Sequence, residues 1–93
     1  MKNSVPRSMR GHKVYYVYIL KSFKTGKYYT GYTRDVPERL RYHNSGRTPS
    51  LRKHIPLEVM KIEEYSTYGE ARKRERQIKK YKSGEAFKRL LNS

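Results

Sequence analysis

The chain has 93 residues; 23 are Lys or Arg against 8 Asp or Glu, which gives a formal net charge of +15 and a pI near 10.2. No cysteine is present, excluding disulfides and thiolate zinc sites and fitting a reducing cytoplasm, and three scattered histidines are too few for a histidine metal cage. No apolar run approaches the roughly 18 residues a membrane-spanning helix needs, and the short stretch 14–20 has no cleavage site of the kind that follows a signal peptide.

A chain of this length forms one domain with a modest core. The hydrophobic fraction of 34% is supplemented by ten tyrosines, whose rings bury area while their hydroxyls stay wet. So large a cationic excess repels itself, and a polyanionic partner is the usual reason for carrying it. Nucleic acid is preferred over an anionic membrane, because the main basic helix lacks bulky apolar residues on its opposite face.

Residues 1–13 carry Lys2, Arg7, Arg10 and Lys13 with no acid and no apolar period, and read as a mobile basic arm ahead of one domain spanning 14–93. Residues 14–20 are β-branched and aromatic on both faces, a buried strand with Val14, Tyr16, Tyr18 and Leu20 on one side. Lys24 to Lys27 make a turn around Gly26, and residues 28–33 return as a second strand. Such a hairpin brings Tyr18 and Tyr29 to nearby rungs, while the register decides whether they share a face.

Asp35, Pro37 and Glu38 mark a helix start, with Asp35 as cap and Glu38 reaching back. This helix runs to about Ser45 and stops at Gly46, with Val36, Leu40 and His43 inward. Residues 46–56 read as a long basic loop carrying Arg47, Arg52, Lys53 and His54. Residues 57–65 form a third strand, and Thr67-x-x-Glu70 opens a helix over about 68–82. Ser83-Gly84 breaks it before a last short helix bearing Phe87, Leu90 and Leu91. The expected fold is α+β: a small antiparallel three-stranded sheet flanked by helices in the order ββαβαα.

Glu75 is the conspicuous residue. Between positions 72 and 82 lie seven Lys or Arg and this single carboxylate, on the stripe Tyr68, Ala71, Ile78 that should be apolar. A carboxylate there needs a cation. Two readings stand: an ion pair with Lys79 or Arg39, or a ligand for Mg²⁺, which commonly takes one or two carboxylates and completes its shell with waters and phosphate oxygens.

Tyr16-Val17-Tyr18, Tyr29-Thr30-Gly31, Arg39, His43 and the run Arg74-Glu75-x-x-Ile78-Lys79 together resemble the GIY-YIG nuclease superfamily, in particular its small single-domain bacterial members related to the nuclease domain of the UvrC excision-repair subunit. The glycine of the first motif is Tyr16 here, and the isoleucine of the second is Thr30. The resemblance implies a metal-dependent endonuclease with Glu75 as the ligand for Mg²⁺ or Mn²⁺. It implies that Tyr18 contacts the attacking water, as general base or through a metal-bound hydroxide, and that Tyr29 positions the water or the scissile phosphate. A nearby metal and a positive field are expected to favour the Tyr18 phenolate. Arg39 would hold a nonbridging phosphate oxygen with its forked donors. His43 would bond the phosphate or Tyr18, and a small Gly31 would let helix and substrate approach.

The implied activity is hydrolysis of DNA phosphodiester bonds with little sequence choice, since Arg47, Arg52, Lys53, Arg72, Arg76, Lys79 and Lys80 would contact backbone rather than bases. The alternative is a non-catalytic basic module on the same fold, binding DNA or RNA, with tyrosines stacking on unpaired bases. Both readings place the protein in the cytoplasm, at the nucleoid, with no small-molecule cofactor and no membrane.

Overall fold

The computed structural model describes residues 14–81 and 84–92. The basic arm expected at residues 1–13 lies outside the described residues, as does Lys82 at the expected end of the long helix. In chain order the elements are β1 (Tyr15–Ser22), β2 (Tyr28–Thr33), α1 (Val36–Asn44), a 3₁₀ helix (Pro49–His54), β3 (Leu57–Tyr65), α2 (Tyr68–Tyr81) and α3 (Glu85–Asn92). The sheet is antiparallel with strand order β2-β1-β3, so the apolar strand sits in the middle and the two more polar ones form the edges. This is the expected ββαβαα architecture.

Period-two alternation along β1 sends its residues to two separate cores. Val17 and Ile19 meet Ala71 and Ile78 of α2 and Phe87 of α3. Tyr18 and Leu20 meet Val36 of α1, Leu51 of the 3₁₀ helix and Leu57 at the start of β3. Val17, Ile19, Leu20 and Ile78 are each essentially inaccessible, and burial of one such aliphatic side chain stabilises by about 1.5–3 kcal/mol. A 93-residue chain thus builds two thin half-cores on one central strand.

The helix boundaries follow their capping chemistry. Asp35, in extended conformation, accepts the Glu38 amide at 3.0 Å, and Thr67 Oγ1 accepts the Glu70 amide at 3.1 Å. Gly46 takes φ +84° just past α1, a conformation costly for any residue with a Cβ. Asn44 then ties the end of α1 to β3, donating to the Leu57 carbonyl and accepting its amide.

Two local expectations are corrected. Residues 46–56 are not an irregular loop, because Pro49 starts a 3₁₀ helix whose three-residue period buries Leu51 and His54 on one side. Tyr68 does not continue the buried stripe of α2. It stands at the first turn, 50% exposed, and packs edge-on to Tyr15 and Tyr32.

Candidate active site

The register settles the question left open by the hairpin. Tyr18 pairs with Gly31 and Leu20 with Tyr29, so Tyr18, Tyr29 and Gly31 share the face covered by α1 and the 3₁₀ helix. The hydroxyl end of the Tyr18 ring lies over Gly31. A Cβ at position 31 would stand 2.6 Å from the Tyr18 hydroxyl and 2.8 Å from its ring carbon, so only glycine leaves the phenol in place. Gly31 is therefore small for the sake of Tyr18, a more specific reason than the expected approach of helix and substrate.

Tyr18 is only 6% exposed, and its hydroxyl lies 3.3 Å from His43 Nε2. Nδ1 of the same ring lies 2.8 Å from Thr48 Oγ1, the residue that caps the 3₁₀ helix. With Nδ1 donating to Thr48, Nε2 is an acceptor aimed at the phenol. Burial pushes the Tyr18 phenol up from the usual value near 10, opposed by Arg39 and reinforced by Glu75. Burial, aided by the Arg39 charge, pulls the His43 imidazole down from its usual 6.5. Without a metal, the protein's own charges do not favour the expected Tyr18 phenolate, because desolvation outweighs the guanidinium.

Arg39 is exposed on α1, one turn before His43, and its charge reaches both members of the pair. Tyr29, on the same face, has its ring centroid 5.3 Å from that of His54. His54 is buried, with Nδ1 2.9 Å from Thr25 Oγ1, and its carbonyl accepts from Ser22 Oγ at 2.6 Å. Desolvation, together with Lys27, Lys53 and Lys24, holds its imidazole below the usual value.

Glu75 is 5% exposed, on the stripe with Ala71 and Ile78. Its Oε1 accepts from Arg72 Nη1 at 2.6 Å and its Oε2 lies 3.0 Å from Lys79 Nζ. The expected partner Lys79 is present, whereas the other cation is Arg72 rather than Arg39, because Arg72 lies one turn away on the same helix. The Arg72 guanidinium also sits over the Tyr32 ring, 5.5 Å from its centroid. Glu75 is close enough to Tyr18 and Tyr32 for its charge to raise both phenols.

The expected phosphate contacts divide. Arg76, Lys80 and Lys53 are exposed with no ion pair among the described residues. Arg72 and Lys79 are occupied with Glu75, Arg52 Nε donates to the Gly46 carbonyl at 2.8 Å, and Arg47 stacks over Tyr42 at 5.8 Å. Thr48 and the placement of His54 beside Tyr29 had no signature in the sequence, since a lone threonine before a proline and a histidine beside lysines look like ordinary loop residues.

Residues 14–88 match the family described as the GIY-YIG catalytic domain, and the chain belongs to that family. It is similar to a UPF0213 protein of Staphylococcus epidermidis, 39% identical over 77 residues that cover 82% of this chain and 93% of that protein. UPF0213 proteins of Staphylococcus saprophyticus and Staphylococcus aureus are 38% and 41% identical over 68 residues, covering 72% of this chain and 82% of each relative. These relatives carry the UPF0213 description rather than that of a UvrC-type nuclease. No solved structure matches the chain. Among the described residues no helix is long and apolar enough to cross a membrane.

Proposed function

We propose that the protein binds nucleic acid through phosphate contacts and hydrolyses a phosphodiester bond at Tyr18, in the manner of a GIY-YIG endonuclease related to the UvrC nuclease domain, at the nucleoid. The observation that carries this reading is the hydrogen-bonded pair of Tyr18 and a His43 held neutral at physiological pH.

A phenol pushed above its usual value is a poor base, and a neutral imidazole is a good one near pH 7. Tyr18 therefore acts as a relay: the attacking water gives its proton to the phenol oxygen while the phenol proton passes to His43 Nε2. Thr48 holds the imidazole in the accepting tautomer. The water oxygen forms the new bond to phosphorus, the bond to the leaving sugar oxygen breaks, and Arg39 holds the nonbridging oxygens as charge grows there.

The donor set at Glu75 fits a divalent ion of the Mg²⁺ type. It is one buried carboxylate whose oxygens keep lone pairs beyond those used by Arg72 and Lys79. Bound there, Mg²⁺ or Mn²⁺ would supply positive charge to the leaving oxygen. Lys79, which is 56% exposed, would swing out to solvent at little cost.

A second reading has its own observation in favour. Glu75 is already charge-balanced on both oxygens, and among the described residues no group of three or more His, Cys, Asp or Glu could hold a metal. In that state the fold is a non-catalytic nucleic-acid-binding module. Incubation of labelled DNA with the protein, with Mg²⁺ or with EDTA, separates the two. Hydrolysis whose rate climbs with pH through a value below 6.5, and levels off above it, supports the relay. A rate still rising near pH 10 would point to the phenolate instead, and binding without turnover at any pH leaves only the module.

A further inference from the structure

Beyond Tyr18 and Glu75 the molecule holds a cleft of about 800 Å³ that neither role uses. It is lined by Tyr15 of β1, Tyr32 and Thr33 of β2, Tyr68 of α2, and Arg34, Asp35, Glu38, Arg39 and Tyr42 at the start of and along α1. The three tyrosines are arranged edge to face: Tyr68 stands 5.9 Å from Tyr15 at 68° and 5.6 Å from Tyr32 at 72°. The hydrogen bond that the Tyr32 hydroxyl donates to Tyr68 is the main cause of the raised Tyr32 phenol. The rings are thus fixed in place with Tyr68 half in solvent.

The geometry points to a binding site for one unpaired nucleobase, next to the scissile phosphate. This rests on the nucleic-acid reading above and adds a substrate class to it: strands with an unstacked nucleotide rather than continuous duplex. Three observations converge. Tyr68, 50% exposed and without a cation over its ring among the described residues, offers an aromatic surface on which any base can stack, while Tyr15 and Tyr32 hold it in place. Arg34, over the Tyr15 ring at 5.8 Å, and Arg39 supply the charge for the flanking phosphates, and Arg39 belongs to both this cleft and the Tyr18 site. The cleft also contains two carboxylates, which would repel a phosphate placed inside it. Asp35 is engaged as the helix cap, but Glu38 has no ion pair among the described residues and offers an acceptor to an exocyclic amino group. An aromatic surface with two arginines and the Glu38 carboxylate in one cleft suits a base together with its flanking phosphates.

The test is binding in EDTA, where no hydrolysis interferes. A short single strand carrying 2-aminopurine and a blunt duplex of the same sequence are titrated with wild-type protein, Tyr68→Ala and Tyr68→Phe. Quenching of the 2-aminopurine by wild-type protein is expected in the single strand and not in the duplex. Tyr68→Ala should weaken single-strand binding by about tenfold, leave duplex binding within about twofold, and be rescued by Tyr68→Phe. Absence of quenching in the single strand, or equal weakening of both forms, overturns the proposal whether or not Tyr68→Ala folds well. Each reading can fail alone: hydrolysis of duplex without single-strand preference removes the base site and keeps the nuclease, and preference without hydrolysis does the reverse.

Discussion

Glu63 and Glu75 are both glutamates shielded from solvent and both paired with cations, yet their partners differ in kind. Glu63, on β3, is gripped by Arg74 of α2 through two parallel bonds, Nε to Oε1 at 2.8 Å and Nη2 to Oε2 at 3.0 Å, and accepts the Tyr65 hydroxyl at 2.8 Å. The fork joins a strand to a helix. Among the described residues Glu75 is paired only with Arg72 and Lys79, three and four residues away on its own helix, and it reaches the sheet only indirectly, through the Arg72 guanidinium over the Tyr32 ring. It nevertheless occupies an interior position that an apolar residue would fill more cheaply. A buried charge without a direct bond between elements contributes less to holding the fold together than the Glu63 fork does.

The largest expected effect of that contrast is on Glu75→Gln. Cleavage should fall by about a thousandfold or more, as removal of charge from the leaving oxygen demands. Thermal melting should move little, because Arg72 and Lys79 are free to rehydrate. Glu75→Met should melt at or above the wild type. A large loss of stability in Glu75→Met, measured by calorimetry, would erase the distinction between the two glutamates.

Gly31→Ala probes the same site from the strand side. The new Cβ needs the space of the Tyr18 hydroxyl, and the phenol must swing from His43. A displacement on the ångström scale predicts a cleavage loss of about a hundredfold. Salt-dependent binding in EDTA should be unchanged; if cleavage also survives, Tyr18 is not the relay.

Glu63→Gln should show the opposite pattern. Loss of the charged fork leaves Arg74 half-satisfied between β3 and α2, at a cost of roughly 1–3 kcal/mol in denaturant unfolding. The cleavage rate of the folded fraction should be unaltered.

Much of this was legible in the sequence. The β-branched and aromatic run at 14–20, the turn around Gly26, the two capping boxes and the breaks at Gly46 and Ser83-Gly84 marked the strands and α-helices, because each depends on neighbours within a turn or a rung. Glu75 was conspicuous because a carboxylate breaks an apolar stripe. Lys79 was foreseen as a partner of Glu75, whereas the contact of His43 with Thr48 and the face shared by Tyr18 and Tyr29 were not legible. They depend on register and on a 3₁₀ turn, which bring together residues far apart in the chain. The protonation argument also changed on folding, since burial of Tyr18 cannot be read from a +15 composition.

The smallest expected effect lies in the pH dependence of stability, and it separates Glu63 from the histidines. His43 and His54 both have imidazoles held below 6.5 in the folded chain, so as pH falls below that value the unfolded chain binds protons first and stability declines. Glu63 is held below 4.5, chiefly by the Arg74 bonds, so its contribution is intact above that value and is lost as pH falls through its folded-state pKa. Unfolding free energy measured from pH 7 downward should therefore weaken in two stages. Glu63→Gln removes the lower stage and keeps the upper one, whereas His54→Gln makes the upper one shallower and keeps the lower. A single unbroken decline, the same in both variants, would mean that neither the fork nor the buried rings control acid stability, and the structural role given to Glu63 would go with it.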